Sequence, residues 1–319
     1  MKLNRFARFA WAALAYNLLV ILWGVYVRAS GSGAGCGSHW PLCKGEVIPQ
    51  SPAITTMVEF AHRLSSGGAL VLAIIALVWA WRAYPRGHRV RLATGLTMAF
   101  MITESLVGAG LVIFGLTDKN DSVARAVSLG IHLVNTFLLL ASLALTAWWA
   151  SGGAPVRLRG QGTVFNIFFA AMLGTMVVGV TGAITALGDT LFPAQSLAQG
   201  LQQDLSPTAH FLIQLRVIHP ILAVLVGVLS MVTGRVAATL RPSPATRAFA
   251  RVLIGIFLAQ LIIGVVNVAL LAPVFMQLIH LLMADLVWLT LVLAAATAMA
   301  DPVPNTMPEA FGRPAMRTR

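Results

Sequence analysis

Histidine is the residue whose placement carries the most chemistry in this chain. His62, His132, His219 and His280 each lie near the start of a long apolar stretch, two in each half of the sequence. Neutral imidazole is a good ligand for iron. Two rings brought to one depth from facing bundle helices supply the axial pair of a haem iron. The pattern therefore predicts two bis-histidine haem sites. One histidine inside an apolar segment is as readily a helix-packing residue, but ionisable groups there are costly and generally functional. Four at matching positions point to ligation. His39, in a cysteine-bearing loop, His88, in an arginine cluster, and His210, ahead of His219, are expected at surfaces or interfaces.

The neighbours of these histidines make the two sites unequal. Residues three apart share a helix face, so Glu59 stands over His62 and Arg216 over His219. A guanidinium suits haem propionates, which gives Arg216 a cofactor-binding role. A carboxylate suits proton transfer or stabilisation of a cationic intermediate, so Glu59 is the catalytic candidate and its half the catalytic one. The competing reading of Glu59 is a carboxylate favoured by the helix dipole. Arg63 is its local counter-charge. Cys36 and Cys43 lie in a loop expected to face an oxidising compartment, where a disulfide is the natural state. Its expected role is structural or site-shaping. Glu104, matched by Gln260 in the other half, fits a helix-to-helix hydrogen bond or proton movement.

The elements that must hold these groups are membrane helices. Of the 319 residues, 58% are hydrophobic and 10% charged, against about 25% charged in a soluble domain; mean hydropathy is +0.84. Eight apolar segments, roughly 10–28, 57–81, 92–115, 126–149, 163–186, 208–234, 249–271 and 276–299, reach the ~20 residues that span a bilayer. The net charge of +12 is distributed by topology. Lys2, Arg5, Arg8, Arg82, Arg86, Arg89, Arg91, Arg157, Arg159, Arg235, Arg241, Arg247, Arg251, Arg313, Arg317 and Arg319 fill alternate gaps, sixteen cations against Arg28, Lys44, Lys119 and Arg125 in the others. This bias sets both termini in the cytoplasm, and it excludes a nucleic-acid partner as the reason for the charge. The first apolar stretch runs into its loop without a small-residue cleavage site, so a bacterial inner membrane is expected. All four histidines then fall four to eleven residues inside the outer ends of outward-to-inward segments.

The fold class that follows is an all-α polytopic membrane protein, with eight transmembrane helices as two tandem four-helix bundles. Ile131-His132-Leu133 matches Ile279-His280-Leu281, Glu104 with Gly108 matches Gln260 with Gly264, and Gly24 with Gly33 matches Gly179 with Gly188. Four helices separate the copies, so the repeat is parallel, a pseudo-two-fold along the membrane normal. Residues 1–150 form the half with the catalytic haem site and cysteine loop, 151–300 the half with the electron-transfer haem, and 301–319 a Pro-rich cytoplasmic tail expected to be poorly ordered.

The residues resemble haem A synthase, the membrane enzyme family that oxidises the C8 methyl of haem O to a formyl group. The resemblance rests on Val27-Arg28 leading into Gly31-Ser32-Gly33, then Cys36, Trp40-Pro41, Cys43 and Gly45, then Glu59-Phe60-Ala61-His62-Arg63 and the later His132, His219 and His280. It covers nearly the whole chain, and the cysteine loop combined with Glu-Phe-Ala-His-Arg is highly specific. It implies that His62 and His132 flank the substrate haem with Glu59 essential beside it. It also implies a haem b on His219 and His280, a Cys36–Cys43 pair on the outer face, and a place in cytochrome oxidase assembly. The chain departs from the pattern at Cys36-Gly-Ser-His39-Trp40-Pro41 and at Pro220, which follows His219 in place of an arginine.

On this reading electrons leave the substrate haem for haem b and then an unidentified acceptor, while the methyl group passes through hydroxylated intermediates. A bis-histidine iron has no open position, so either His62 or His132 leaves in turnover or oxidation proceeds by electron removal and water attack. The expected partners are a haem O-forming farnesyltransferase as supplier and membrane lipid; a homo-oligomer is compatible with the sequence. A two-haem b-type electron carrier would explain the histidines but give Glu59 and the cysteine loop no task. A transporter would use the repeat but bind no haem.

Overall fold

The computed structural model describes residues 3–50 and 53–300; the expectation of a tail at 301–319 lies outside the described residues. Eight helices are long and apolar enough to cross a membrane. They include α1 (Arg5–Ala29), α2 (Ile54–Ala83), α3 (Arg89–Ile113), α4 (Val123–Ala150) and α5 (Thr163–Leu191). After the short α6 (Leu197–Asp204) comes α7 (Phe211–Gln214), joined through a 3-10 turn (Leu215–Val217) to α8 (Ile218–Leu240); α9 (Pro244–Ala269) and α10 (Val274–Ala298) follow. Twenty-five residues rise about 37 Å, enough for the ~30 Å hydrocarbon core. The helices begin where the sequence supplies caps. Asn4 accepts from the Ala7 amide, Ser122 from Arg125 and Ser243 from Thr246, the last with Pro244 in the first turn. Among the described residues no extended strand forms; only isolated bridges such as Cys43 with Glu46 occur.

The eight spans close as two rings. α1 packs on α2 and α4, while α3 packs on α2 and α4; α2 and α4 therefore stand on a diagonal. In the second set α5 packs on α8 and α10, and α9 packs on the same two, which puts α8 and α10 on a diagonal. The sets meet along α4, which touches α5 and α10, and along α1, which touches α10. α4 and α10 have 44% and 56% of their apolar windows buried against 28% or less elsewhere, so these two form the seam. There Phe137 stacks on Trp288 at 5.0 Å and 13°, and the Trp288 indole N–H donates to the Phe137 carbonyl at 2.7 Å. Alanines 144 and 147 on α4 and 294, 295 and 298 on α10 are buried, small residues that let helices approach closely where lipid offers no hydrophobic contrast.

One predicted element changes its winding. The span read over 208–234 runs as Phe211–Leu240 and tightens to a 3-10 turn at Leu215–Val217. Pro220 has no N–H to give the Arg216 carbonyl its α-helical partner.

Candidate functional site

The four histidines lie on the two diagonals, His62 on α2 with His132 on α4, and His219 on α8 with His280 on α10. Each ring rests against a glycine of the preceding span. A Cβ on Gly24 would stand 2.9 Å from Cε1 of His62, on Gly108 3.9 Å from His132, on Gly182 2.8 Å from His219, and on Gly264 3.2 Å from His280. At Gly24 and Gly182 the glycine is needed because a methyl under 3.0 Å from a ring carbon would displace the ring, whereas at Gly108 the contact would be ordinary. The match of Gly24 with Gly179 drawn from the letters is corrected by these contacts. Gly182 faces the imidazole, whereas Gly179 faces Leu133 and Phe137 across the seam.

The first site is closed above by the cysteine loop. Cys36 and Cys43 are joined by a disulfide with their Cα atoms 4.5 Å apart, as expected, and both are buried. Three residues of α2 at helical spacing pin the loop. Thr56 donates to the Gly35 carbonyl at 2.7 Å, Glu59 accepts from the Cys36 amide at 2.8 Å, and Arg63 donates to the carbonyls of His39 and Leu42 at 2.6 and 2.7 Å. Arg63 also clasps Glu59 through Nε at 3.1 Å and Nη2 at 2.5 Å, which makes it the counter-charge read from the sequence. Glu59 is 3% exposed; its Oε2 ties the loop to the helix that carries His62, and its Oε1 holds Arg63. Beyond the disulfide the loop meets the α3–α4 connection, leaving a cleft of about 360 Å³ between Gly37, Ser38 and Thr117–Asn120.

The second coordination layer differs between the halves. Glu104 on α3 accepts from Asn135 Nδ2 and Thr136 Oγ1, both at 2.5 Å, and its Oε1 lies 3.6 Å from Nδ1 of His132. Gln260 on α9 donates to the His280 carbonyl at 3.0 Å, with its amide nitrogen 3.5 Å from the ring Nε2. Thr181 Oγ1 is 3.3 Å from Nδ1 of His219. The helix-to-helix hydrogen bonding expected of Glu104 is present, with its acid set beside a histidine.

Arg216 is held by two acids of the second set. It lies in the 3-10 turn, and its guanidinium pairs with Asp189 at 3.0 Å and Asp204 at 3.6 Å while donating to the Phe192 carbonyl at 2.8 Å. Burial pushes the Asp204 carboxyl above the usual carboxylate range while Arg216 pulls it down. Two residues counted as loop cations prove to be internal. Arg28 donates to the Ala186 carbonyl at 2.7 Å, Thr190 at 2.9 Å and Gln277 at 3.0 Å, joining α1 to α5 and α10. Arg125 is 4% exposed and donates to the carbonyls of Asp118 and Asn120. Asp285 went unread although a lone carboxylate in an apolar segment is itself a signal; it is fully buried on α10 with neither oxygen partnered. The unassigned histidines have modest roles. His88 caps α3 and packs on Tyr84, while His210 caps α7 and lies 3.5 Å from Asp121.

The residues present fit a haem. The rings of His219 and His280 stand 6.3 Å apart between centroids at an interplanar angle of 82°. Two metal–nitrogen bonds of about 2 Å, with roughly 1 Å more from each nitrogen to its ring centre, put a bis-imidazole pair about 6 Å apart. Among the described residues no three His, Cys, Asp or Glu side chains gather as a metal site, so a metal held here needs a ligand that brings its own donors, as a porphyrin does. Buried Nδ1 atoms of His62, His132 and His280 lack hydrogen-bond partners.

The comparisons agree with this geometry. Residues 7–292 match the family described as cytochrome oxidase assembly protein, COX15-CtaA. The chain belongs to that family. Among its relatives, two from Thermus thermophilus strains named "Protoheme IX farnesyltransferase" are 53% identical over 93% of this chain and 49% of their own length. The chain thus spans about half the length of these curated relatives. A "Heme A synthase" from Exiguobacterium sibiricum is 31% identical over 70% of each chain, and one from Halalkalibacterium halodurans is 34% identical over 54% of this chain and 58% of its own. The resemblance read from the cysteine loop and the Glu59–Arg63 segment is met by relatives bearing that name. Membership also agrees with the multi-pass helical architecture.

Proposed function

We propose that this chain is a haem A synthase, an oxidoreductase of haem A biosynthesis that converts the C8 methyl of haem O to a formyl group. The observation that carries the reading is the placement of four imidazoles on two bundle diagonals, with His219 and His280 at the spacing of a shared iron. His62 and His132 would flank the substrate, and His219 and His280 would hold a haem b, with residues 1–150 and 151–300 as tandem halves. Haem b, when bound, supplies a one-electron acceptor beside the substrate site. The other steps fall to the chain. Glycines 24, 108, 182 and 264 make room for the rings, and Glu59 holds the cysteine loop over the first site. Glu59 can also exchange a proton or stabilise positive charge on the carbon undergoing oxidation. Arg216, already neutralised by Asp189 and Asp204, positions the turn before His219 and offers its remaining donor face to a propionate.

The half-length match to relatives named for a farnesyltransferase supports a haem O-forming enzyme as the supplier. The charge bias supports a bacterial cell membrane with cytoplasmic termini and the cysteine loop outside. The test is co-expression with a haem O source followed by pigment extraction and mass analysis. Formyl-haem should accumulate; bound protohaem with no formyl product would leave a two-haem b electron carrier instead.

A further inference from the structure

Of the four imidazoles, His132 alone has a carboxylate set against its ring. Glu104 is fixed in that position by Asn135 and Thr136, the third and fourth residues after His132 on the same helix, and Asn135 is itself held by the Thr103 hydroxyl at 2.5 Å. The His132 Nδ1 is buried and has no other protein acceptor. At 3.6 Å the Glu104 oxygen is just beyond a hydrogen bond, and a few tenths of an ångström of side-chain movement closes it. The other three rings face neutral groups: Gln260 at His280, Thr181 at His219 and Gly24 at His62.

We infer that Glu104 is a positioning residue that makes His132 the strongest electron donor of the four ligands and sets the first-bundle iron at a lower potential than the second. The inference rests on the two-haem reading above. A carboxylate accepting from the far N–H of a ligating imidazole raises the ligand's basicity. A more basic axial ligand favours ferric over ferrous iron. At His280 the Gln260 amide nitrogen stands 3.5 Å from the other ring nitrogen, Nε2, and can only donate, while Nδ1 has no protein acceptor, so the second iron receives no such push. One electron then passes downhill from the first-bundle iron, which is oxidised, to the second, which is reduced. A neutral residue at 104 would remove that bias.

The test uses the full-length protein loaded with protohaem at both sites, titrated spectroelectrochemically. The wild type should show two one-electron components, the lower one missing from His132→Ala. Glu104→Gln should raise the lower component at least tenfold in its reduction equilibrium, about 59 mV for one electron, and leave the upper one in place. Glu104→Asp, one methylene shorter, should withdraw the carboxylate from Nδ1 and raise the lower value as well. A haem-loaded Glu104→Gln protein with both potentials unchanged and only a lower melting temperature overturns the inference and makes Glu104 a helix clasp. Wild-type protein that takes up no haem removes the two-haem reading itself, and this inference with it.

Discussion

At the residue scale the packing of glycine against imidazole gives a graded expectation. Gly24→Ala and Gly182→Ala would place a methyl 2.9 and 2.8 Å from a ring carbon, whereas Gly108→Ala would leave an ordinary 3.9 Å contact. Overpacking of this kind costs about 1–3 kcal/mol, close to or beyond tenfold in affinity. Gly24→Ala should therefore weaken haem binding at the first pair and Gly182→Ala at the second, while Gly108→Ala binds normally; quantified haem content and difference spectra would show it. Glu59→Gln should retain both haem sites, because an amide oxygen can still accept from the Cys36 amide, yet yield no formyl-haem. Normal product from that variant would leave Glu59 with only its anchoring task. The histidines, Glu59 and the cysteine pair were legible because titratable groups stand out in apolar sequence. Which glycine faces His219 was not legible, because Gly179 and Gly182 are a turn apart and letters alone do not say which one faces the seam. The ion pairs of Arg216 were hidden since Asp189 and Asp204 reach it through the fold.

At the element scale the loop and α2 act as one unit. Arg63 supplies two of the contacts that join them, to the loop carbonyls of His39 and Leu42, and hydrogen bonds to charged groups contribute about 1.5–3 kcal/mol each, less where water competes. Arg63→Ala should leave α2 intact while freeing residues 37–42. Limited proteolysis in that stretch should accelerate several-fold, with helix content by circular dichroism unchanged. The eight spans were readable from length and hydropathy, but their starts less so: α4 begins three residues and α9 five residues before the apolar reading, because the caps Ser122 and Ser243 extend the helices into polar sequence. The winding of the segment at 208–234 was also hidden. Its apolar letters are continuous, so nothing in hydropathy announces the 3-10 turn, and Pro220 two residues after the start of α8 was the available signal.

At the scale of the whole molecule the seam governs how the two sites are held relative to each other. Trp288 is 2% exposed, stacked on Phe137 and hydrogen-bonded to its carbonyl. Trp288→Ala should destabilise the protein by about 3–5 kcal/mol, and Trp288→Phe by less, since it keeps the stack and loses the donor. Thermal unfolding in detergent should rank them in that order. Which helices meet at this seam was not legible: α4 and α10 are as apolar as the lipid-facing spans, and only packing distinguishes a buried alanine from one facing lipid. The strap of residues anchored by Thr56, Glu59 and Arg63 has a consequence for traffic. On the proposed function, with the loop laid across the outer end of the first set of helices, a tetrapyrrole trailing an isoprenoid chain would enter edge-on between neighbouring staves from within the bilayer, and its donor would be membrane-resident.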